Sequence, residues 1–381
     1  MNTAPNPDAQ WAPPAIPSGN REGQEPPETP QQAVEPFAGS KGQGLPGYEQ
    51  ITLPAPDAMV LLKNAYGDVR DFLRGGRTPN YRWWKPLVAL CCIAIFWVAL
   101  SFGMGIPIYV ISELVGHPVP LEGGSLEHVG SYLATKVVTI SFIPAVFLGV
   151  YIVEGRRGGG LSSIAGRLRW DVMGHAVILA GICYAPLLIW GLLSSQPNFN
   201  VATAVPILLL AFLLVPFQAA GEEYLFRGWL LQTLRGWGMP VWLTIIISAI
   251  PFAVLHGYGW IATTDVFLFA ICMSWLVVRT GGLEGAIAIH AVGNIQVTIN
   301  AVISGRTSMG DEGAQVSDLI VSVVLHLVVT ALADWWLRRV VIQREGREAM
   351  TGVFGGPVGD FGLARQLAGE KVSAASVNVF G

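Results

Sequence analysis

The sequence predicts an all-α fold, a polytopic membrane helical bundle of about eight transmembrane helices. Hydrophobic residues make up 52% of the 381 positions and charged residues only 13%, whereas an ordinary soluble domain carries about a quarter charged. The mean hydropathy is +0.50. Between residues 86 and 337 the apolar positions gather into blocks, several of them near the ~20 residues that a helix needs to cross the hydrocarbon layer. A standard soluble enzyme is excluded on these grounds. A net charge of −3, with no basic patch carrying interleaved aromatics, argues against a nucleic-acid partner. Cys91, Cys92, Cys183 and Cys272 all sit inside apolar blocks without a C-x-x-C pair, so they read as small packing residues rather than a disulfide framework or a thiolate zinc site.

Residues 1–56 hold twelve of the 25 prolines. Such a stretch has too little apolar surface to offset chain entropy and is expected to form a disordered, Pro-rich cytoplasmic tail. No apolar core lies near Met1, so the first span is expected to direct insertion itself. Residues 57–85 form an amphipathic juxtamembrane segment: Ala58, Leu61, Leu62, Ala65, Val69, Phe72 and Leu73 recur at helical spacing, with Lys63, Asp68, Arg70, Asp71 and Arg74 largely elsewhere. An interfacial helix and a short helix packed on the protein both fit that pattern.

Eight spans follow, at about 86–111, 129–153, 173–193, 204–235, 241–256, 264–278, 283–302 and 316–337, and together they make a transmembrane domain over 86–337. The first three have a comfortable crossing length, the fourth is long, and the fifth and sixth are short. Charges in the connections order them. Arg70, Arg74, Arg77, Arg82 and Lys85 precede the first span; Arg156, Arg157, Arg167 and Arg169 separate the second from the third; Arg235 follows the fourth. Arg279 closes the sixth, and Arg338, Arg339, Arg344 and Arg347 follow the eighth, while the alternate connections hold only Arg306. Lys and Arg stay on the cytoplasmic side, so this alternation and an even span count place both termini in the cytoplasm of an integral protein, expected in the plasma membrane. Residues 338–381 form a C-terminal cytoplasmic tail, Gly-rich after Arg347 and assigned no fold.

A charge at mid-bilayer costs about 2.5–3.5 kcal/mol even on lenient scales, so each one asks for a partner or a purpose. Lys136, Asp265 and Glu284 are explained by interface proximity or a bundle-facing partner. Asp334 with Arg338 reads as a helix-end pair at i, i+4 spacing, and His175 and His326 as neutral core histidines with satisfied rings. The segment Gly221-Glu222-Glu223-Tyr224-Leu225-Phe226-Arg227 differs in kind, since it puts two carboxylates and a guanidinium inside a long apolar helix. Adjacent helical residues point about 100° apart, so the two glutamates are expected to do different jobs. Glu223 and Arg227 stand one turn apart and can pair, which leaves Glu222 to point elsewhere. Two later helices add His256, four residues after Phe252, and His290, one turn before Asn294. A carboxylate, two imidazoles and an amide on three helices make a constellation rather than scattered core polar residues.

At these residues the sequence resembles the CPBP family, the CAAX prenyl proteases and bacteriocin-processing enzymes also called Abi membrane proteases. The family pattern of Glu-Glu-x-x-x-Arg, Phe-x-x-x-His and His-x-x-x-Asn reads here as Glu222-Glu223 to Arg227, Phe252 to His256 and His290 to Asn294, without departure, in a motif core over 203–300. The resemblance implies an intramembrane endopeptidase acting on a membrane-associated protein or peptide, of CAAX type or of leader and bacteriocin type. Within it, Glu222 acts as general base on a water, His256 orients that water or protonates the leaving amine, and His290 and Asn294 bind the oxyanion. A zinc route is the alternative, with Glu222, His256 and His290 as metal ligands and water in the fourth position. The H-E-x-x-H signature is absent, so the sequence does not show a metal by itself.

Two other function classes compete: a non-enzymatic membrane scaffold or immunity protein using the cluster as interhelical contacts, and an ion-coupled transporter, which would spread its charges along a path. Helix rise gives a depth test. Glu222 and His256 flank the turn near Trp237 at roughly 22 and 28 Å, while His290 lies only roughly 12 Å from the Gly281-Gly282 turn. His290 reaches the same level only where that turn is sunk or the Trp237 turn projects outward; the long fourth span favours projection.

Overall fold

The computed structural model describes residues 71–76, 81–115, 126–307 and 314–353. The expected Pro-rich tail, most of the juxtamembrane segment and the chain beyond 353 lie outside them. All regular elements among the described residues are helical, apart from one isolated antiparallel bridge between Ser163 and Gly282.

In chain order these are α1 (Asp71–Arg74), α2 (Lys85–Leu114), α3 (Val129–Glu154), α4 (Gly159–Ser162), α5 (Trp170–Ser194), α6 (Val201–Gly236), α7 (Val241–Val254), α8 (Trp260–Thr280), α9 (Glu284–Ile303) and α10 (Val316–Val353). Local chemistry sets their ends. Pro86 opens α2 with its fixed φ. The Asn200 side chain accepts from the Ala202 amide and caps α6. Gly281, with φ +66°, closes α8 in the left-handed conformation that glycine adopts without steric cost.

The polytopic helical bundle read from the sequence is the observed fold, with seven helices long and apolar enough to cross a membrane. The expected fifth span is the exception. It forms α7, a helix of only 14 residues, about 21 Å long against a hydrocarbon layer of about 30 Å. Among the described residues, the eight expected spans are thus seven long helices and one short apolar helix. Two helices overshoot the layer instead. Helix α6 runs 36 residues, and α10 runs 38, continuing through residues read as tail because Arg338, Arg339 and Arg344 lie along a helix rather than in a coil.

Helix α9 is the most buried of the long helices and packs chiefly on α5 and α6. Helix α3 packs on α6 and α2, and α8 on α10 and α7. Large side chains such as Trp190, Leu193, Leu209 and Phe212 face outward, as lipid contact requires. In α1, Phe72 and Leu73 are buried in the core, so the described part of the juxtamembrane segment is a short helix packed on the protein.

The segment 155–169 is tied to the start of α9 by a buried ion pair. Arg169 gives Glu284 three hydrogen bonds, from its amide (2.8 Å), Nε (2.9 Å) and Nη2 (2.8 Å), and a fourth from Nη2 to the Thr280 carbonyl (3.1 Å). The Ile164 amide donates to Gly281 and the Leu283 amide to Ser162. The Gly281-Gly282 turn is thus covered by protein and fully buried. The turn near Trp237, by contrast, leaves Trp237 and Gly238 exposed.

Removing one partner of such a pair strands a buried charge. Arg169→Met or Glu284→Leu alone is expected to lower stability by about 3–5 kcal/mol, and the double exchange to recover most of it. Thermal unfolding of the purified protein in detergent reads both values.

Candidate active site

The site is built on α6, where the α-helix widens into a π-helical turn over Tyr224–Leu230 directly after Glu223. Local π geometry of this kind recurs at functional positions because it re-aims side chains within an otherwise regular helix. Gly221 lets α6 come close to α3, since a Cβ there would stand 2.7 Å from the Thr139 carbonyl oxygen. On α9, a Cβ at Gly293 would meet the Tyr184 ring of α5 at 3.2 Å.

Glu223 is fully buried. Its Oε1 accepts from Arg227 Nη1 at 3.0 Å and lies 2.9 Å from His290 Nδ1. The Arg227 guanidinium in turn sits 4.0 Å over the Phe252 ring, a cation–π contact strengthened by desolvation. Phe252 is a hub, packed edge-on against Phe226 and His290 and tilted against His256. Its place in the motif thereby gains a physical reason: one ring seats the guanidinium and both imidazoles.

Glu222 points the other way. Its Oε1 accepts from Gln218 Nε2 at 2.7 Å. Its buried Oε2 has no hydrogen-bond partner and stands 3.6 Å from His290 Nε2. His290 is therefore held between the two glutamates. An ionised carboxylate only accepts, so Nδ1 donates to Glu223 and Nε2 is the ring atom that faces Glu222.

His256 lies at the end of α7, half-exposed, with Nδ1 at 2.7 Å from the Phe252 carbonyl. A carbonyl only accepts, so Nδ1 carries the proton and Nε2 is again the available atom. Among the described contacts His256 joins the cluster through the Phe252 ring and approaches Tyr258 at 5.5 Å between ring centroids. Asn294 follows His290 by one turn of α9 and is half-buried, its backbone carbonyl accepting from Thr298 Oγ1. The structure thus gathers Glu222, Glu223, Arg227, Phe252 and His290 by direct contact, sets His256 beside them and puts Asn294 on the same helix.

The donor types suit a two-histidine, one-carboxylate metal set. Their arrangement does not: among the described residues no group of three or more His, Cys, Asp or Glu side chains stands where it could share an ion. The chemistry below uses the side chains alone.

Two residues outside the three motifs are hydrogen-bonded in series to Glu222. Gln218 lies one turn before Glu222, a spacing that could have exposed it. Lys136 of α3, explained before by interface proximity or a bundle-facing partner, donates to Gln218 Oε1 at 3.1 Å. Of the other ionisable groups, Asp334 pairs with Arg279 of α8 at 2.9 Å as well as with Arg338 at 3.1 Å. His175 rests its Nδ1 on the Asp171 carbonyl. His326 is not a fully satisfied core histidine: its Nε2 meets both Asp265 and Ser322 at 3.1 Å, while Nδ1 is buried without a partner. Serine and aspartate crowding one nitrogen is not the relay of a Ser-His-Asp triad, which uses both.

Residues 202–296 match the family model described as type II CAAX prenyl endopeptidase Rce1-like. The curated Bacillus subtilis (strain 168) protein described as uncharacterized protein YyaK is 24% identical over 233 residues, covering 56% of this chain and 77% of that protein. No solved structure matches. The family match falls on the helices that carry the glutamates and both histidines, and it agrees with the resemblance carried by the three motifs. It supports an integral membrane protein with intramembrane protease activity in general.

The two glutamates should separate in a stability measurement. Arg227→Ala leaves Glu223 charged and uncompensated and is expected to cost about 3–5 kcal/mol. Glu222→Gln keeps the shape and an oxygen for Gln218 and should stay within about 1 kcal/mol of the wild type. Thermal unfolding distinguishes the two outcomes.

Proposed function

We propose that the protein is an intramembrane endopeptidase that uses Glu222 and its neighbours to hydrolyse a peptide bond in a membrane-associated protein or peptide, of CAAX type or of leader and bacteriocin type. The observation that carries the reading is the 3.6 Å approach of Glu222 Oε2 to His290 Nε2, with Glu223 behind the imidazole. Two acceptors face each other there across the span that one water can bridge.

In this mechanism a reactant water gives one hydrogen bond to Glu222 Oε2 and the other to His290 Nε2. Glu222 takes the proton as the oxygen attacks the substrate carbonyl carbon. Glu223 fixes the His290 tautomer and ring, as a carboxylate behind an imidazole does in many hydrolytic sites, and Arg227 balances its charge. This geometry favours His290 for orienting the water, the role that the sequence reading gave to His256. The oxyanion forms toward the Asn294 amide, which supplies N–H donors. When the C–N bond breaks, the proton held by Glu222 passes through His256 Nε2 to the departing amine. Burial strengthens the contacts among Glu222, Glu223, Arg227 and His290, because little water screens them.

Cleavage of a membrane peptide by the purified, reconstituted protein tests the reading, with wild type and Glu222→Gln compared in the presence and absence of a chelator. Loss of the general base is expected to lower kcat by about 10²–10⁴ while the melting temperature holds, and the chelator to change nothing. Undiminished cleavage by Glu222→Gln would overturn the glutamate mechanism. Abolition of wild-type cleavage by the chelator would do the same in favour of zinc, and activity that declines only with stability would favour the scaffold reading.

A further inference from the structure

We infer that Lys136 and Gln218 are positioning residues for Glu222, the Lys136 ammonium fixing the Gln218 amide so that it holds one Glu222 oxygen and turns the other toward His290. The inference rests on the protease reading and adds to it two residues that lie outside the three motifs.

The observations form one chain. Lys136 Nζ donates to Gln218 Oε1 at 3.1 Å, and Gln218 Nε2 donates to Glu222 Oε1 at 2.7 Å. A side-chain amide has one accepting and one donating end. With an ammonium on one side and a carboxylate on the other, only one orientation satisfies both; the flipped amide would set N–H against N–H and carbonyl against carboxylate. Lys136 therefore determines which end of Gln218 meets Glu222. That bond engages Oε1 and leaves Oε2 as the oxygen facing His290 Nε2. Lys136 also lies 5.0 Å over the Tyr132 ring and interacts electrostatically with Glu222.

A lysine placed within a span is costly, and a tie between α3 and α6 would need no ammonium. The close approach at Gly221 already brings those helices together. What the charge adds is direction. It also balances the site, since Lys136 and Arg227 offset Glu222 and Glu223.

One substitution separates positioning from bracing. Gln218→Glu keeps a partner for Lys136, indeed an ionic one, so a mere brace between α3 and α6 survives it. It also removes the N–H donor from Glu222 and sets a second carboxyl against it. Gln218→Glu and Lys136→Met are compared with wild type for kcat, KM and melting temperature in the reconstituted peptide-cleavage assay, with Lys136→Arg as the conservative variant and Glu222→Gln as the control. The expected result is a kcat about ten- to a hundredfold lower for Gln218→Glu and Lys136→Met, the range typical for residues that orient an active group. KM should stay within about twofold, kcat should fall further than any change in melting temperature accounts for, and Lys136→Arg should restore part of the loss. If kcat for both variants stays near wild type while Glu222→Gln is inactive, the positioning role is wrong and the protease reading stands. Losses that merely follow the melting temperature also overturn it. Full activity in Glu222→Gln overturns the reading beneath it.

Discussion

The Glu223 carboxylate is the junction on which the site depends. It lies fully buried between helices and meets Arg227 on its own helix and His290 on α9. An ionised carboxylate in such surroundings is unfavourable unless paired and hydrogen-bonded, so these groups must stay together for the fold to hold them at all. The same contacts orient the imidazole. Structural necessity and chemical alignment are therefore one interaction: the same Glu223 oxygen, Oε1, that pairs with Arg227 also holds His290 Nδ1. Phe252 extends the arrangement to α7 by seating the guanidinium on its face and both imidazoles against its ring.

This division explains why the two adjacent glutamates are not redundant. Glu223, pointing into the α9 interface, is saturated on one oxygen by a guanidinium and an imidazole. Glu222, turned about 100° away, meets a single amide and keeps an oxygen directed at Nε2. The π-helical turn that begins at Tyr224 shifts the register of the following residues. Arg227 can then reach back to Glu223 while the helix continues toward Arg235.

Much of the fold was legible in the sequence because lipid imposes a simple rule, long apolar runs with cations in alternate connections. The rule is least exact about helix length. Residues 241–256 read as a span on hydropathy, and α7 forms there as an apolar helix that ends at Val254, with Gly257 at φ +67°, so it is shorter than the seven long apolar helices among the described residues. Residues 338–353 read as tail because Arg338, Arg339, Arg344 and Arg347 are polar, though nothing in their spacing forbids a helix. The glutamate pair, both histidines and Asn294 were legible because they are costly residues in an apolar setting, at spacings that bring side chains to one face. Gln218 was not, being a neutral amide that costs little to read as packing. For Lys136 a bundle-facing partner was one of the two readings, but that partner, Gln218, lies 82 positions further on, and no local spacing identifies residues brought together only by the packing of α3 on α6.

Depth completes the account of why a short helix and a sunk turn occur in the same molecule. His290 is six residues beyond Glu284, so it sits only about 9 Å along α9 from the Arg169 clamp. For that position to reach Glu222, the start of α9 has to lie well inside the protein, and the Ser162–Leu283 and Ile164–Gly281 backbone bonds with the Arg169–Glu284 pair provide the cover that lets it. The turn from α6 to α7, by contrast, leaves Trp237 and Gly238 exposed. Counting inward from it, fourteen residues of α6 lead back to Glu222 and the fourteen of α7 lead forward to Val254, two residues short of His256. Runs of similar length from one turn bring a carboxylate and an imidazole to comparable levels. A longer α7, continued to a full crossing, would carry the chain past that level and leave His256 inside a helix, with the i−4 carbonyl of Phe252 bound to its backbone amide rather than to its ring. The short helix is thus what frees the Phe252 carbonyl to hold His256 Nδ1 and turn Nε2 outward.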